Sequence, residues 1–298
     1  MGTSSIGAGK TGVEVRKIIS IALFGDPERK GTAGMRYHPF LAPYLLSHLN
    51  LFPAAEGWEL HVHVDDITLN SSYGQMLTRV SSRVEAVKTI MMGSALLTRS
   101  MLWRLRPAFS STIDYTFCRD IDCISLPRDR AICDTFIASN CAIHAPADSQ
   151  SHAGLMGGMI GLKNSAFRII TGIESLDQLY DFAKKSEAEW ATHGTDQLVL
   201  NRLIDRADGP TLLEHRYNGW HAGPGKYPAR KAGEYRCKSW STPVPDVGKS
   251  KLSPELQAQA DLLANHLGAA GYPIDAARAF WEEHGDRAIT KLVKECEA

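Results

Sequence analysis

The sequence lacks any apolar run approaching the roughly 20 residues needed to cross a bilayer, any cysteine pair at C-x-x-C spacing, any internal repeat and any net charge. The first absence removes a helical membrane span. The second argues against zinc knuckles and a disulfide framework; the six cysteines (Cys118, Cys123, Cys133, Cys141, Cys237, Cys296) are scattered, and reduced, mostly buried thiols are expected. With 33 basic and 33 acidic residues, the whole molecule has no polyelectrolyte pull toward nucleic acid or anionic lipid, although a local basic patch is compatible with that balance. The opening MGTSSIGAGKTG has no apolar core of a secretory signal, so a soluble, cytoplasmic protein is expected. Within that stretch, Gly7-Ala8-Gly9-Lys10-Thr11 imitates the end of a phosphate-binding Walker loop. The first glycine of that motif would fall on Ser4 and no strand precedes it, so the match is a coincidence.

What is present is the composition of an ordinary globular protein, 44% apolar and 22% charged over 298 residues. Residues 1–16 are small and polar and are expected to be a disordered leader. Lys17 to Phe24 is a near-continuous apolar run stopped by Gly25-Asp26-Pro27, the pattern of a central parallel strand covered on both faces. Tyr37 to Leu51 has helical spacing, and Leu60 to Val64 predicts a second strand running into Asp65-Asp66. Ser94 to Leu105 is predicted helical with Pro107 as its stop, and Asp114 to Cys118 is an aromatic-rich third strand leading into Arg119-Asp120-Ile121-Asp122. Helix is further predicted over 127–139, 175–190 and 195–206, with a short strand at 141–144 and a Gly-rich apolar stretch at 154–162. Residues 216–238 are loop-like, and 243–298 form a helical C-terminal appendage whose apolar face suits packing or a homodimer contact. Alternating strands and helices imply crossovers on a mainly parallel sheet. Ligands of such sheets bind at the carboxyl ends of the strands, where Asp26, Asp65 and Asp120 all fall.

Asp120 and Asp122 are the central chemical feature. Residues i and i+2 at the end of a strand point the same way, so both carboxylates can approach one divalent cation. Hard oxygen ligands suit Mn²⁺ or Mg²⁺, which bridge the phosphates of a nucleotide. The competing reading pairs one Asp with Arg119 or Arg128 and leaves the other to cap a turn. Asp65 and Asp66 divide likewise between turn caps and ribose contacts.

Arg119-Asp120-Ile121-Asp122 resembles the DxD signature of glycosyltransferases with the GT-A fold. Ser100 to Pro107 resembles the helix that precedes DxD in bacterial and viral polysaccharide-type transferases. His144 to Asp148, His152 and Gly157-Gly158-Met159-Ile160-Gly161 resemble the His/Asp segment and Gly-Gly-Met strand of the same group. Asp196-Gln197 followed by Asn201 is similar to the DQ-x-x-x-N helix start of glycogenin-like enzymes, and the likeness spans roughly residues 17 to 230. It implies a GT-A (Rossmann-like) α/β domain over residues 17–242, with a mixed, mainly parallel sheet flanked by helices.

The implied activity is metal-dependent transfer of a sugar from a nucleoside diphosphate, a UDP sugar first of all, to a hydroxyl of a glycan, small molecule or modified nucleic acid, with a slight lean to retention. Asp120, Asp122 and His221 would hold Mn²⁺ or Mg²⁺, with His215 competing for the third place. Phe24, Gly25, Asp26 and Asp65 would border the nucleoside. Arg104, Arg119, Ile121, Gly157, Gly158, Gln197 and Lys226 would contact the donor, a surface ion pair being the alternative for Arg104. Asp196 would stand beside the anomeric carbon, where its competing role is a first-turn carboxylate of its helix. Asp148 would be the base of an inverting reaction. The loop at His221 departs from the His-x-x-Gly-x-x-Lys-Pro pattern: Gly223 follows by two positions, and Tyr227 separates Lys226 from Pro228. Two other readings compete. A sugar-phosphate nucleotidyltransferase would want a G-x-G-T-R-L loop, which Gly25 to Arg29 does not supply. An inactive module would use the basic stretch of Arg216, Lys226, Arg230, Lys231, Arg236 and Lys238 to hold a polyanion such as DNA.

Overall fold

In a computed structural model the chain is described over residues 15–29, 37–95, 97–121, 125, 127–147, 155–185, 194–205 and 212–216. Asp122, Asp148, His152, His221, Lys226 and the whole predicted C-terminal appendage lie outside the described residues. The elements run β1 (Lys17–Leu23), α1 (Leu41–Leu51), β2 (Trp58–Val64), α2 (Asp66–Asn70), α3 (Ser72–Arg83), β3 (Val87–Met91), a 3-10 segment (Leu97–Phe109) and β4 (Tyr115–Arg119). Then come α4 (Pro127–Ala138), β5 (Ile143–Ala147), β6 (Met159–Lys163), α5 (Asn164–Thr171), α6 (Leu176–Lys185), α7 (Thr195–Asp205) and β7 (Leu212–Arg216). They build one seven-stranded sheet in the order β3-β2-β1-β4-β6-β5-β7. Strands β1, β2, β3 and β4 pair in parallel, as do β5 and β7, while β6 runs antiparallel to both β4 and β5. This is the mixed, mainly parallel α/β sheet expected.

Alternation along the strands sorts the side chains into two cores. Ile19, Ile21, Leu60, Val62 and Phe117 pack with Leu41 and Tyr44 of α1, Leu77 of α3 and Phe136 of α4 on one face. Cys118, Ile160 and Leu162 pack on the other with Leu102 and Leu105 of the 3-10 segment, Phe167 of α5, Leu179 of α6 and Val199 of α7. Trp58 anchors the first core, its ring 4.7 Å from Phe52 and 5.4 Å from Phe117. Full burial of large apolar side chains contributes about 1.5–3 kcal/mol each, so the two cores hold the sheet rigid beneath the ends of its strands. Arg16 belongs to this fold rather than to a leader: its side chain meets Glu59 and Thr112, and its backbone N–H donates to Asp114 at 2.8 Å.

Several elements differ from the sequence expectations. β4 is the fourth strand, because α3 and the edge strand β3 intervene where no elements were predicted. The segment before β4 is a 3-10 helix that carries on through Pro107 to Phe109. Proline has no N–H to give, and a tight helix that leans on the sheet tolerates that loss better than a long α-helix would. β7 occupies Leu212–Arg216, with Glu214 and His215 buried, in a stretch for which no strand was predicted and whose last residue was read as the start of a loop. Among the described residues no helix is long and apolar enough to cross a membrane.

Candidate active site

β4 delivers Asp120 to the carboxyl edge of the sheet. Its N–H donates to the Gly158 carbonyl at 3.1 Å, extending the ladder in which Arg119 faces Met159. Alternation then turns Arg119 and Asp120 to opposite faces. Arg119 enters the first core, donating to the Cys118 carbonyl at 2.8 Å and meeting Cys133 of α4. Ile121 is also buried there. Neither of these side chains is brought to the face that Asp120 uses.

On that face Arg104, from the 3-10 segment, lies between two carboxylates. Its guanidinium donates to Asp120 through Nη1 and to Asp196 through Nη2. Only 3% of the Arg104 side chain is exposed, against 9% for Asp196 and 39% for Asp120. Arg104 is therefore a buried clamp rather than a surface ion pair, and Asp120 is the member of the trio that meets solvent. Burial alone would weaken the hold of Arg104 on its proton. The two carboxylates more than offset this, so its pKa is raised and the guanidinium stays charged. One cation against two anions leaves the cluster net negative if all three are ionised, a field that attracts a cation while the guanidinium attracts phosphate.

Glycine makes the approach geometrically feasible. A methyl on Gly157 would overlap the Asp196 carboxylate and come within 3.1 Å of Arg104 Nη2, and one on Gly158 would overlap the Asp120 carboxylate. The Gly-rich stretch thus brings backbone against charged groups, as its composition suggested. Asn201, on α7 beyond Asp196, secures the same stretch. Its Oδ1 accepts from Leu155 N–H at 3.0 Å, and its Nδ2 donates to Leu155 O at 2.9 Å and Gln197 O at 2.7 Å. Gln197 is half-buried on the first turn of α7. The DQ-x-x-x-N spacing accordingly serves one task here: Asp196 meets Arg104 while Asn201 grips the chain that leads to Gly157 and Gly158. Cys118, beside this cluster, is buried and its thiol is pushed up to about 12, so it is no nucleophile.

The exits of β1 and β2 form a neighbouring shelf. Gly25 takes φ +89° and donates to Asp65 Oδ2 at 3.0 Å. Asp65 is fully buried and also caps α2, accepting from Thr68 N–H at 2.8 Å. Its carboxylate holds the two strand exits together, the capping role among the two considered for it. Asp26 is exposed and caps its own turn through Glu28 N–H at 2.9 Å, and Asp66 accepts from Ser94 at 3.2 Å. Phe24 stands edge-on to Trp103, ring centres 5.6 Å apart. His38 escaped notice in the sequence: its Nε2 lies 2.9 Å from Thr68 Oγ1, and burial lowers its pKa to about 4 although Asp65 and Asp26 pull upward. A His-Pro pair opening a helix beside the first loop was the available signal.

The histidines expected near the metal or acceptor separate from the cluster. His215 of β7 and His144 of β5 are buried against each other, Nε2 of His144 lying 2.8 Å from Nδ1 of His215. The His144 ring stacks on Phe136 in the first core, on the face opposite Asp120. Among the described residues, no group of three or more His, Cys, Asp or Glu side chains is gathered closely enough to hold a metal ion. Asp120 is the described carboxylate open to a cation, and its partner in the motif, Asp122, lies beyond the described residues.

The fold and site together define an α/β, Rossmann-like protein with a mixed seven-stranded sheet and an Arg-carboxylate cluster at the carboxyl edge of its parallel strands. No family model and no curated protein matches the chain. Among solved structures it is similar to the glycosyltransferase GlyE of Streptococcus pneumoniae, at 16% identity and a TM-score of 0.41, over 67% of this chain and 45% of that one. It is also similar to 4-diphosphocytidyl-2C-methyl-D-erythritol synthase from Anaerococcus prevotii, at 7% identity and a TM-score of 0.38, over 67% and 87% of the two chains. The bifunctional IspDF of Campylobacter jejuni matches at 10% identity and a TM-score of 0.35, over 73% and 52%. Likenesses this distant carry no argument about activity.

Proposed function

We propose that this chain is a glycosyltransferase that moves a sugar from a nucleoside diphosphate, a UDP sugar first of all, to a hydroxyl acceptor. The observation that carries this reading is Arg104 buried between Asp120, at the end of β4, and Asp196, at the start of α7, with Gly157 and Gly158 pressed against both carboxylates. Asp120 and Asp122 would hold Mn²⁺ or Mg²⁺, whose hard-acid character suits carboxylate oxygens. When bound, such an ion neutralises charge on the departing diphosphate.

The remaining roles fall to the chain itself. Arg104 fixes the directions of both acids and presents further N–H donors to the diphosphate. Phe24, Gly25 and the Asp65-braced shelf border the nucleoside. Asp196 lies nearest the transferred sugar, as acceptor-positioning group or as nucleophile in a retaining reaction. In an inverting reaction Asp148 would take the acceptor proton as the acceptor oxygen displaces the diphosphate from the anomeric carbon.

A thermal-shift series of nucleoside diphosphates and sugar nucleotides, with and without Mn²⁺, tests the reading, because a ligand of the folded state raises the melting temperature by mass action. The matching nucleotide is expected to act only with metal, and Asp120→Ala with Asp122→Ala to abolish the shift while the chain stays folded. An undiminished shift in that double variant refutes the site. Asp196→Asn should bind donor nearly as wild type and transfer orders of magnitude more slowly; full activity moves the role to Asp148. Mn²⁺-dependent hydrolysis of the donor without acceptor separates a transferase from an inactive module, which would show none.

A further inference from the structure

A second cleft, of about 500 Å³, lies on the side of the sheet shared with the 3-10 segment and takes none of its lining from the Arg104 cluster. His61 and His63 of β2 and Thr89 of β3 form its floor, and Arg106 and Ser110 its wall. His63 is fully buried; its Nε2 lies 3.0 Å from Ser20 Oγ, and its Nδ1 is enclosed without a hydrogen-bond partner among the described residues. Enclosing a polar nitrogen without a partner costs about 1–3 kcal/mol. Arg106 is exposed, meets no carboxylate among the described residues, and donates only to the Met92 thioether at 3.6 Å. The acid that meets the floor is already committed: Glu59 holds both His61, at 3.1 Å, and Arg16, at 3.0 Å.

We propose that this cleft binds the oxyanion group, phosphate or carboxylate, of a small ligand. Arg106 supplies the charge and the forked donors that such a group takes, and His63 supplies an N–H from Nδ1. That tautomer is available because Ser20 can turn its hydroxyl to donate to Nε2. Burial first, then His61 and Arg106, hold His63 well below its ordinary pKa, so it meets the ligand as a neutral donor. The volume accommodates a molecule of sugar-phosphate size. A divalent metal is the poorer occupant, since the floor and wall named above supply two imidazoles and no free carboxylate.

Histidine side-chain ¹⁵N NMR on the full chain reads this site apart from the proposed donor site. Inorganic phosphate and sodium acetate are titrated at constant ionic strength, with chloride as control, and His61→Gln and His63→Gln assign the two rings among the eleven histidines. A saturable change at His61 and His63, with His63 settling in the Nδ1–H form, is expected in the wild type and in Asp120→Ala alike. Arg106→Gln, an exposed position, should weaken it about tenfold or more. Saturation with phosphate alone selects a phosphorylated ligand, and with acetate alone a carboxylate. Changes that fail to saturate with either anion, or that keep the same midpoint in Arg106→Gln, overturn the proposal.

Discussion

Replacing Arg104 by methionine keeps most of the length of the side chain and removes its charge. In the native cluster one guanidinium serves both Asp120 and Asp196, and the arginine is 3% exposed. Removing one member of a buried ion pair costs about 3–5 kcal/mol, because the partner is left desolvated and unpaired. The two carboxylates do not share that loss equally. Asp196, 9% exposed, has little water to turn to, whereas Asp120, 39% exposed, is largely rescued by solvent. The loss should therefore sit near the lower limit, about 3 kcal/mol, nearly all of it from Asp196. At roughly 2–4 °C per kcal/mol for a domain of this size, the melting temperature falls by about 6–12 °C.

Adding Asp196→Asn removes the orphaned charge and should return at least about half of the loss, whereas adding Asp120→Asn should return little. Urea unfolding of the wild type and these three variants at pH 7.5, followed by tryptophan fluorescence, measures each term. Arg104→Met within about 0.5 kcal/mol of wild type, below what any buried ion pair predicts, would refute the reasoning. So would equal rescue by the two Asn substitutions.

The two glycines should respond unequally. Gly158→Ala drives a methyl into the half-exposed Asp120 carboxylate, which can swing outward; stability should change by less than about 1 kcal/mol while metal-dependent nucleotide binding is lost in the thermal-shift assay. Gly157→Ala meets the enclosed Asp196 and Arg104, and should cost about 1–3 kcal/mol in urea unfolding. Asn201→Ala leaves the Leu155 N–H and C=O without their side-chain partner, with an expected loss of about 2 kcal/mol and a drop in transfer, measured by unfolding and initial rates. His48 is fully buried, stacked on Phe52, and both its ring nitrogens lack a partner among the described residues. Burial lowers its pKa to about 3, so its stability contribution is intact above pH 6.5 and is lost as pH falls from 6.5 toward 3, where the unfolded chain alone takes up the proton. His48→Phe should stabilise the protein by about 1 kcal/mol at pH 7 and flatten the acid slope by up to about 1.4 kcal/mol per pH unit, seen as unfolding midpoints between pH 7 and 5.

Strands β1, β2 and β4 were legible because each is an apolar run cut off by turn or acidic residues, and the placement of Asp26, Asp65 and Asp120 beyond them followed directly. β3 was not, since an edge strand exposes Lys88 and Met91 and shows no continuous apolar run. β7 hid for the opposite reason: Glu214 and His215 are buried by neighbours distant in the chain, and no local pattern reports that. The same limit applied to the site. Asp120, Asp196, Gly157 and Gly158 could be named from motifs, yet Arg104 lies 92 residues from Asp196, and their ion pair depends on how the 3-10 segment packs against α7. Its burial is a tertiary fact. The resemblance pointed to Arg104 while local reasoning left a surface role equally open.

Buried charge is a poor route to stability, since apolar side chains of the same volume hold a core at least as well. Arg104 with its two acids therefore invites a reason other than folding, and so does the His144–His215 pair, an uncharged polar pair buried in the first core. Position separates them. The histidines lie inside the sheet with no exposed member, whereas Asp120 carries the negative charge of its cluster to solvent at the edge where such sheets bind ligands. A triple replacement of Arg104, Asp120 and Asp196 by methionine, asparagine and asparagine tests that distinction. If the cluster exists for ligand, the triple variant should fold within about 1 kcal/mol of wild type and bind no nucleotide in the presence of Mn²⁺. If it exists for architecture, the triple variant should be as unstable as Arg104→Met alone, and the functional reading of the cluster would fail with it.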